Sequence, residues 1–397
     1  MTLLEIIKDT SVNSKPSDLP LEYPVVLNPD SILPNLKHNV KDESSLSLVK
    51  RLDGWQIPQN DREIIDISKN FYTKLKYKLK NTNNLDKGEF IGTLNSYLES
   101  IRDKVGIDIG VDSSNSGFNR ILIDKLGVFM GKDVVGLVLD GCVSLEIWEV
   151  VEALIVNGSV EHSCYSNLVT KLVEKKRSDL LCLCLKHDFD LGSSEMLTIL
   201  RYFLSPSKDA HNSMATVKKE WESQALLAIE QASDSNLKKS YLLMAKEASI
   251  LLMMAYDGFS ASETCLHYLI ASSNINDVML SPSFAKLNGK ELINLIRYLA
   301  KWLKKYERFP QAGPCQKASS ALHLKACDWV PKLEDVIKCL GLVLDENFSS
   351  LVLHPQFHEE LRSIEEMVGC LAAEAKFCHL MAGVVDKLKM EVEDGNE

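Results

Sequence analysis

Residues 61 to 105 indicate how this chain folds. They read DREIIDISKNFYTKLKYKLK (61–80) and, after a polar turn, FIGTLNSYLESIRDKV (90–105). In each stretch the apolar residues recur every three or four positions, which places them on one face of an α-helix. The two faces are Ile64, Ile67, Phe71, Leu75 and Leu79, and then Phe90, Leu94, Tyr97, Leu98 and Ile101. We expect these helices to pack as an antiparallel pair.

The same apolar spacing continues almost to the end of the chain, with short breaks that contain Gly, Ser or Asn. Two of the later helices begin with a capping box, formed by Ser260 with Glu263 and by Asn288 with Glu291. No repeat of the fixed period that marks the common repeat families is evident. The sequence therefore predicts an all-α fold, an irregular α-solenoid of stacked antiparallel helix pairs with an extended Pro-rich N-terminal segment.

The Pro-rich segment lies before residue 60, where prolines are too closely spaced for a long helix. These prolines are Pro16, Pro20, Pro24, Pro29, Pro34 and Pro58. The segment is either a plain linker or a strip that becomes ordered on a partner, because its apolar residues exceed those of a typical spacer.

Composition shifts suggest where the chain divides. Gly, Asp, Ser and Asn cluster between Gly106 and Gly117, and Pro310, Gly313 and Pro314 interrupt the helical pattern later. We expect an irregular segment over 1–60, a helical hairpin over 61–116, a solenoid over 117–310, a loop over 311–330, a C-terminal helical segment over 331–390 and a tail over 391–397.

Charge and cysteine content limit the kinds of function. The 397 residues carry a formal net charge of -10, and the basic residues concentrate at 69–80 and 297–308. An acidic average argues against a protein dedicated to nucleic acid. The ten cysteines are scattered singly, which suggests reduced, buried thiols in the cytosol or nucleus. Examples are Cys142, Cys182, Cys339 and Cys370. The longest apolar-rich stretch surrounds 250–254, too short for a span, so no membrane contact is expected.

Chemical motifs are weak. His323 and Cys327 are four residues apart and Cys315 lies nearby, but a fourth zinc ligand is undefined. Cys182 and Cys184 would lie on different faces of a helix. No phosphate-binding loop or activated nucleophile is evident. We therefore expect no enzyme activity, no metal or other cofactor and no small-molecule substrate.

One basic stretch interleaves cations with aromatic residues, a composition that suits contact with RNA phosphates and bases. The candidate contacts are Lys301, Lys304, Lys305 and Arg308. The competing interpretation is structural, since cations near a helix C-terminus offset its partial negative charge and Trp302 would fill the core.

A candidate protein interface lies in the C-terminal segment. There, Leu351, Val352, Leu353 and Phe357 form an apolar patch in what should be a polar connection between helices.

The same region carries a family resemblance. The sequences PKLEDVI (331–337), LVLDENF (342–348), VLHP (352–355) and LIRYLAKWLKKY (295–306) resemble the C-terminal helical region of the nucleolar protein 11 family. That family usually has a β-propeller before its helical region. The resemblance therefore describes a plant-like or divergent member that lacks the propeller.

The resemblance implies a non-catalytic scaffold in the nucleolus. Its partners would be other protein subunits of the small-subunit processome, with at most weak or indirect contact to pre-ribosomal RNA, and it would support transcription and processing of that RNA through protein docking. An alternative from the helix pattern alone is a solenoid subunit of a vesicle-coat or tethering complex.

Overall fold

The computed structural model describes residues 58–80, 85–108, 110, 117–187, 190–234, 238–272, 277–310, 312–313 and 315–394, with backbone only at 316 and 390–394. All regular structure in these residues is helical, without a β-strand. This confirms the predicted all-α fold. The Pro-rich N-terminal segment lies outside the described residues.

Sixteen α-helices follow one another through the described residues, with short 3-10 turns between some of them. They are α1 (Gln59–Lys80), α2 (Lys87–Val105), α3 (Phe118–Leu126), α4 (Lys132–Ser144), α5 (Trp148–Val156), α6 (His162–Glu174), α7 (Ser178–Lys186), α8 (Ser193–Leu204), α9 (His211–Ser233), α10 (Lys239–Tyr256), α11 (Ala261–Ile270), α12 (Asp277–Phe284), α13 (Gly289–Arg308), α14 (Gln316–Leu322), α15 (Leu333–Leu353) and α16 (His358–Asp394).

The first two helices form the predicted antiparallel pair. Three side-chain contacts join them, and they show the antiparallel direction because later residues of α1 contact earlier residues of α2. The contacts are Glu63 with Lys104 at 2.5 Å, Ser68 with Tyr97 at 2.9 Å, and Lys78 with Glu89. The predicted apolar face of α2 is fully buried, whereas in α1 Phe71 and Leu75 are buried and the rest of the face is half-buried.

The stack grows along the chain, because most helices pack against helices one to three places further on. Helix α1 packs on α2 and α4, α2 on α3, and α4 on α5 and α6. One close approach is Gly141 in α4, where an added Cβ would lie 2.4 Å from ring atom Cε2 of Phe90. A side chain at 141 would separate α4 from α2. Neighbour-to-neighbour packing of this kind is typical of a solenoid.

Part of the stack is regular, which the sequence alone did not predict. Helices α4 and α6 both have 13 residues and begin at 132 and 162, while α5 and α7 both have 9 residues and begin at 148 and 178. Each pair is offset by 30 residues. Even the turn repeats, because Glu146 and Lys176 both have positive φ, 55° and 57°. The two units share their geometry and little of their sequence, so this local regularity within the predicted solenoid is evident only from the structure.

Two predicted breaks are partly helical. The segment 311–330 was expected to be a loop, yet it contains α14 and a 3-10 helix over Lys325–Trp329. Ala318 and Leu322 are buried where α14 packs on α10, so tertiary contacts support a helix too short to stand alone. Likewise the connection expected around 351–357 is largely helical, because α15 kinks at Asn347 and then continues to Leu353.

The most aromatic part of the core lies where α9, α11 and α13 meet. His267 is fully buried there, and its ring centroid lies 4.7 to 5.2 Å from those of Phe259, Trp302 and Trp221. Both predicted capping boxes are confirmed at the starts of α11 and α13, the helices that carry His267 and Trp302. The caps fix where these helices begin and hence which residues face the cluster.

Candidate protein-interaction surface

Helix α16 is docked at its start and free beyond its middle. The Arg297 guanidinium of α13 lies 2.7 Å from the Glu360 carboxylate, and Ile364 is buried. Among the side chains of α16 that the structure describes, Leu371 is the last that is partly buried, and every residue from Ala372 to Lys389 is exposed. At 1.5 Å per residue, about 27 Å of helix therefore projects from the stack.

The projecting part carries large apolar side chains along one face. We call them the α16 stripe: Phe377, Leu380, Met381, Val384, Val385 and Leu388, whose exposed fractions range from 45% to 63%. Their spacing of three and four residues keeps them on one side of the helix. Single exposed apolar residues are normal, but a contiguous set such as this marks a surface for binding another molecule.

The opposite face of the same stretch carries only small or polar residues. His379 and Asp386 lie roughly 180° around the helix from the stripe, as an advance of about 100° per residue requires. Lys376, Lys387 and Lys389 lie between the two faces. The projecting helix is thus amphipathic although it has no neighbour among the described residues, and an amphipathic helix is most stable when its apolar face is covered.

The stripe leads into a groove at the base of the projection. An open groove of about 470 Å³ lies between α13 and α16, with Arg297, Lys304, Glu366, Met367 and Cys370 among its lining residues. Positions 366 and 370 fall within about 60° of the stripe positions around the helix. A helix lying along the stripe would therefore reach the mouth of this groove.

A membrane is a poor fit to the projecting helix. Between Pro355 and Lys389 the helix is long and apolar enough to span a bilayer by length and composition alone. However, Glu374 and Lys376 lie inside its apolar half, and each costs roughly 2.5–3.5 kcal/mol near a bilayer centre, against 0.3–0.6 kcal/mol returned by each large apolar residue. The stripe therefore suits a protein surface better. The sequence had placed the longest apolar-rich stretch near 250–254, whereas α16 carries the stronger one.

The residues predicted as a protein interface divide into two groups. Leu351 and Phe357 are buried and belong to the core, while Val352 and Leu353 are exposed. The expectation was wrong for Leu351 and Phe357 because α15 stays helical to Leu353, which turns Leu351 inward, and because the 3-10 turn over Pro355–Phe357 seats Phe357 against Gly289. Val352 and Leu353 remain part of an exposed apolar surface.

The predicted RNA contacts are less available than their sequence suggests. Lys301 pairs with Glu263 at 2.8 Å and Lys305 with Asp257 at 3.2 Å, both on neighbouring parts of the stack. Lys304 and Arg308 are exposed.

The aromatic residues beside these cations lie in the core. Trp302 and Tyr306 are both buried, so neither can stack on a base. The basic stretch is therefore explained mainly by packing and by ion pairs across the stack, the structural interpretation of its sequence.

Seven of the ten thiols are buried, as expected, while Cys164 is half-buried and Cys370 and Cys378 are exposed. Cys142, Cys182 and Cys339 are among the buried ones, and burial raises the pKa of the Cys339 thiol to about 12. Cys370 was expected to be buried but is exposed at the open groove between α13 and α16, and Cys378 is exposed on the projecting part of α16.

The weak zinc hypothesis finds no support from geometry. His323 ends α14 in a left-handed conformation, with φ of 58°, so it does not share a helix face with Cys327. In the part of the chain that the structure describes, no three His, Cys, Asp or Glu side chains are placed to hold a metal ion.

The sequence predicted a C-terminal helical segment over 331–390 but did not reveal that the second half of its last helix is exposed. The three- and four-residue spacing of Phe377, Met381, Val384 and Leu388 marks an apolar helix face, but spacing alone does not tell whether that face is covered. Comparison of the chain with protein-family models and with curated proteins finds no match.

Proposed function

We propose that this chain is a non-catalytic helical scaffold that binds another protein through the α16 stripe. The observation that carries this proposal is the stripe itself, six large apolar side chains on about 27 Å of projecting helix. The rest of the stack forms a rigid base that holds the helix away from its own surface. Binding needs no chemistry beyond packing and is driven by removal of the stripe from water.

The continuous core of the helical stack supports this proposal. Its buried residues form one continuous apolar cluster through the described helices, and its ion pairs lie mostly between neighbouring helices on the surface. A base of this kind positions a projecting helix reproducibly. A recognition element placed on a rigid element binds with less loss of conformational entropy than one on a flexible loop.

The test is a comparison of binding partners in cells. Full-length tagged protein is compared with Val384→Glu, which places a charge in the stripe, and with His379→Glu, which places the same charge on the opposite face of the same helix. We expect Val384→Glu to lower recovery of specific partners by more than about tenfold, the effect of 1.4 kcal/mol, and His379→Glu to retain them. Equal recovery with both variants would contradict the proposal.

For the cellular assembly, we propose the nucleolar small-subunit processome, where the scaffold would support transcription and processing of pre-ribosomal RNA by docking with other subunits. The support is the resemblance of residues 331–337, 342–348 and 352–355 to the nucleolar protein 11 family. Affinity purification followed by crosslinking mass spectrometry tests it. Recovery of neither early processome subunits nor pre-ribosomal RNA would reject this assignment while leaving the scaffold proposal intact.

A second candidate is a subunit of a vesicle-coat or tethering complex. The observation that favours it is the pair of 30-residue units over 132–186, because solenoids of repeated helix pairs form extended surfaces for assembly. Localisation of a tagged chain separates the two candidates. Nucleolar signal supports the processome, and punctate cytoplasmic signal supports the coat or tether.

A further inference from the structure

We infer that the molecule covering the α16 stripe is a second copy of this chain, with the two α16 helices packed antiparallel. This inference rests on the proposed function, since it names the partner of the same surface. The arrangement would be isologous: the same face of both copies makes the contact, related by a two-fold axis.

The positions of the stripe residues are symmetric along the helix. Their numbers run 377, 380, 381, 384, 385 and 388, so the intervals are 3, 1, 3, 1 and 3 in either direction. An antiparallel pair centred between 382 and 383 would place Phe377 opposite Leu388 of the second copy, Leu380 opposite Val385, and Met381 opposite Val384. A stripe that reads the same from both ends is what such a pair requires.

The stripe covers most of the projecting helix. The part described as exposed runs from Ala372 to Lys389, and the centre of the stripe lies two residues beyond its middle. A second α16 centred on the stripe would lie along the projection, with its Asp394 opposite Leu371, beside the groove between α13 and α16. The stripe and the groove face the same side of the helix, so both contacts are made by one straight neighbour.

Charges beside the stripe are compatible with the antiparallel pair. Glu374 and Lys389 lie on the same side of the centre line of the stripe, 15 residues apart. In the centred antiparallel pair, Glu374 of one copy lies within about one helical turn of Lys389 of the other, and symmetry produces this ion pair twice. A parallel pair would instead bring Glu374 near Lys376 and Lys389 near Lys387, which gives the same balance of attraction and repulsion. The symmetric spacing of the stripe is what indicates the antiparallel direction.

Like charges on the other side of the stripe lower the affinity of the two copies for each other. Lys376 of one copy approaches Lys387 of the other in the antiparallel pair, although both lie well to the side of the contact. Two helices in contact over about 27 Å of projecting helix would lose on the order of 500 Å² of accessible surface each, which is at the low end for a specific interface. We therefore expect a dimer that dissociates at micromolar concentration.

Sedimentation equilibrium of the purified full chain, from about 1 to about 200 μM, tests self-association. We expect the wild-type mass to rise from monomer toward dimer, Val384→Glu to stay monomeric, and His379→Glu to dimerise like the wild type. Both substituted residues are exposed, so circular dichroism should show that each variant keeps its helices. A wild-type chain that is monomeric throughout, or equal dimerisation of the two variants, would overturn the inference.

Charge exchange tests the direction of the pair. Lys389→Glu alone should weaken dimerisation about threefold to tenfold, since position 389 faces Glu374, and Lys376→Glu alone should strengthen it by turning the like-charge approach to Lys387 into an attraction. A parallel pair reverses both results, because position 389 would then face Lys387 and position 376 would face Glu374. Stronger dimerisation of Lys389→Glu and weaker dimerisation of Lys376→Glu would exclude the antiparallel arrangement.

The two proposals fail in different ways. If the purified chain is monomeric but Val384→Glu still loses its partners in cells, the stripe binds a different protein and only the second-copy inference falls. If Val384→Glu affects neither dimerisation nor partner recovery, both proposals fall. Flotation of the wild-type chain, but not Val384→Glu, with phosphatidylcholine vesicles would show that the stripe binds lipid and would also overturn both.

Discussion

The Nδ1 atom of His267 lies 2.9 Å from the hydroxyl oxygen of Tyr298, inside the aromatic cluster of the core. The other ring nitrogen, Nε2, lies 2.9 Å from the carbonyl oxygen of Ala255. A carbonyl oxygen only accepts, so Nε2 carries the hydrogen and Tyr298 donates to Nδ1. The ring is neutral with both nitrogens bonded, and burial lowers the pKa of His267 from 6.5 to about 3.

This pKa makes stability depend on pH in a known direction. Between about pH 6.5 and pH 3 the histidine is protonated in the unfolded chain and neutral in the folded one, so its stabilising contribution is full above 6.5 and is lost as pH falls. From about pH 7.5 to pH 5.5, we expect the free energy of unfolding to fall by about 1.4 kcal/mol more in the wild type than in His267→Phe, measured with urea. Equal losses in the two proteins would show that His267 does not titrate in this way.

Leu351 and Leu353 provide a matched pair at the end of α15. Leu351 is 2% exposed and Leu353 is 73% exposed. Leu351→Ala should lower the free energy of unfolding by about 2–5 kcal/mol, because it leaves a cavity in the core. Leu353→Ala should change it by less than about 0.5 kcal/mol. Chemical denaturation measures both, and similar effects at the two positions would mean that α15 faces the stack differently.

Gly141 and Gly341 lie inside helices but differ in what surrounds them. In an isolated helix, Ala is favoured over Gly by about 1 kcal/mol. At Gly341 an added Cβ meets no atom within 4 Å, so Gly341→Ala should stabilise the protein by about 0.5–1 kcal/mol.

At Gly141 the added Cβ would overlap the buried ring of Phe90, and overpacking of about 1–3 kcal/mol exceeds the helix preference. Gly141→Ala should therefore lower the thermal midpoint while Gly341→Ala raises it. A rise with both variants would mean that α2 and α4 are further apart than described.

The thiols should react at rates set by their exposure. Cys370 and Cys378 are exposed on α16, whereas Cys142 and Cys339 are buried and burial raises the pKa of both. At about pH 8 a thiol-specific reagent should modify the two exposed groups rapidly in the folded chain, the half-buried Cys164 more slowly, and all ten after unfolding. The variant with Cys370→Ser, Cys378→Ser and Cys164→Ser should react only on unfolding. Rapid modification that persists in this triple variant would contradict the burial of the core thiols.

Helix positions were predictable because periodicity and caps act locally. Ser260 with Glu263 and Asn288 with Glu291 mark starts that the structure confirms, and the contacts of Tyr97 follow from its place on the apolar face. Exposure was not predictable in the same way. Phe357 and Phe377 occupy similar apolar patterns in the sequence. Phe357 is buried because α13 and α15 pack around it, whereas no described helix covers Phe377.

The breaks and the repeat were missed for related reasons. Helix α14 forms because α10 covers it, and its sequence alone is too short to signal a helix. Glu146 and Lys176 both have positive φ, a conformation in which glycine is usual. Because neither residue is a glycine, the sequence carried no sign that the two turns are equivalent.

The equal offset of 30 residues makes this part of the stack modular. The junction between α4 and α5 has the same lengths and the same turn as the junction between α6 and α7, and Lys175 of the second turn reaches back 2.8 Å to Glu146 of the first. A duplicated copy of residues 132–161, inserted after residue 161, would pack against units with the same helix lengths and the same turn. The protein can therefore lengthen by whole units without changing the contacts between them, whereas an insertion into a globular domain would disrupt its single core.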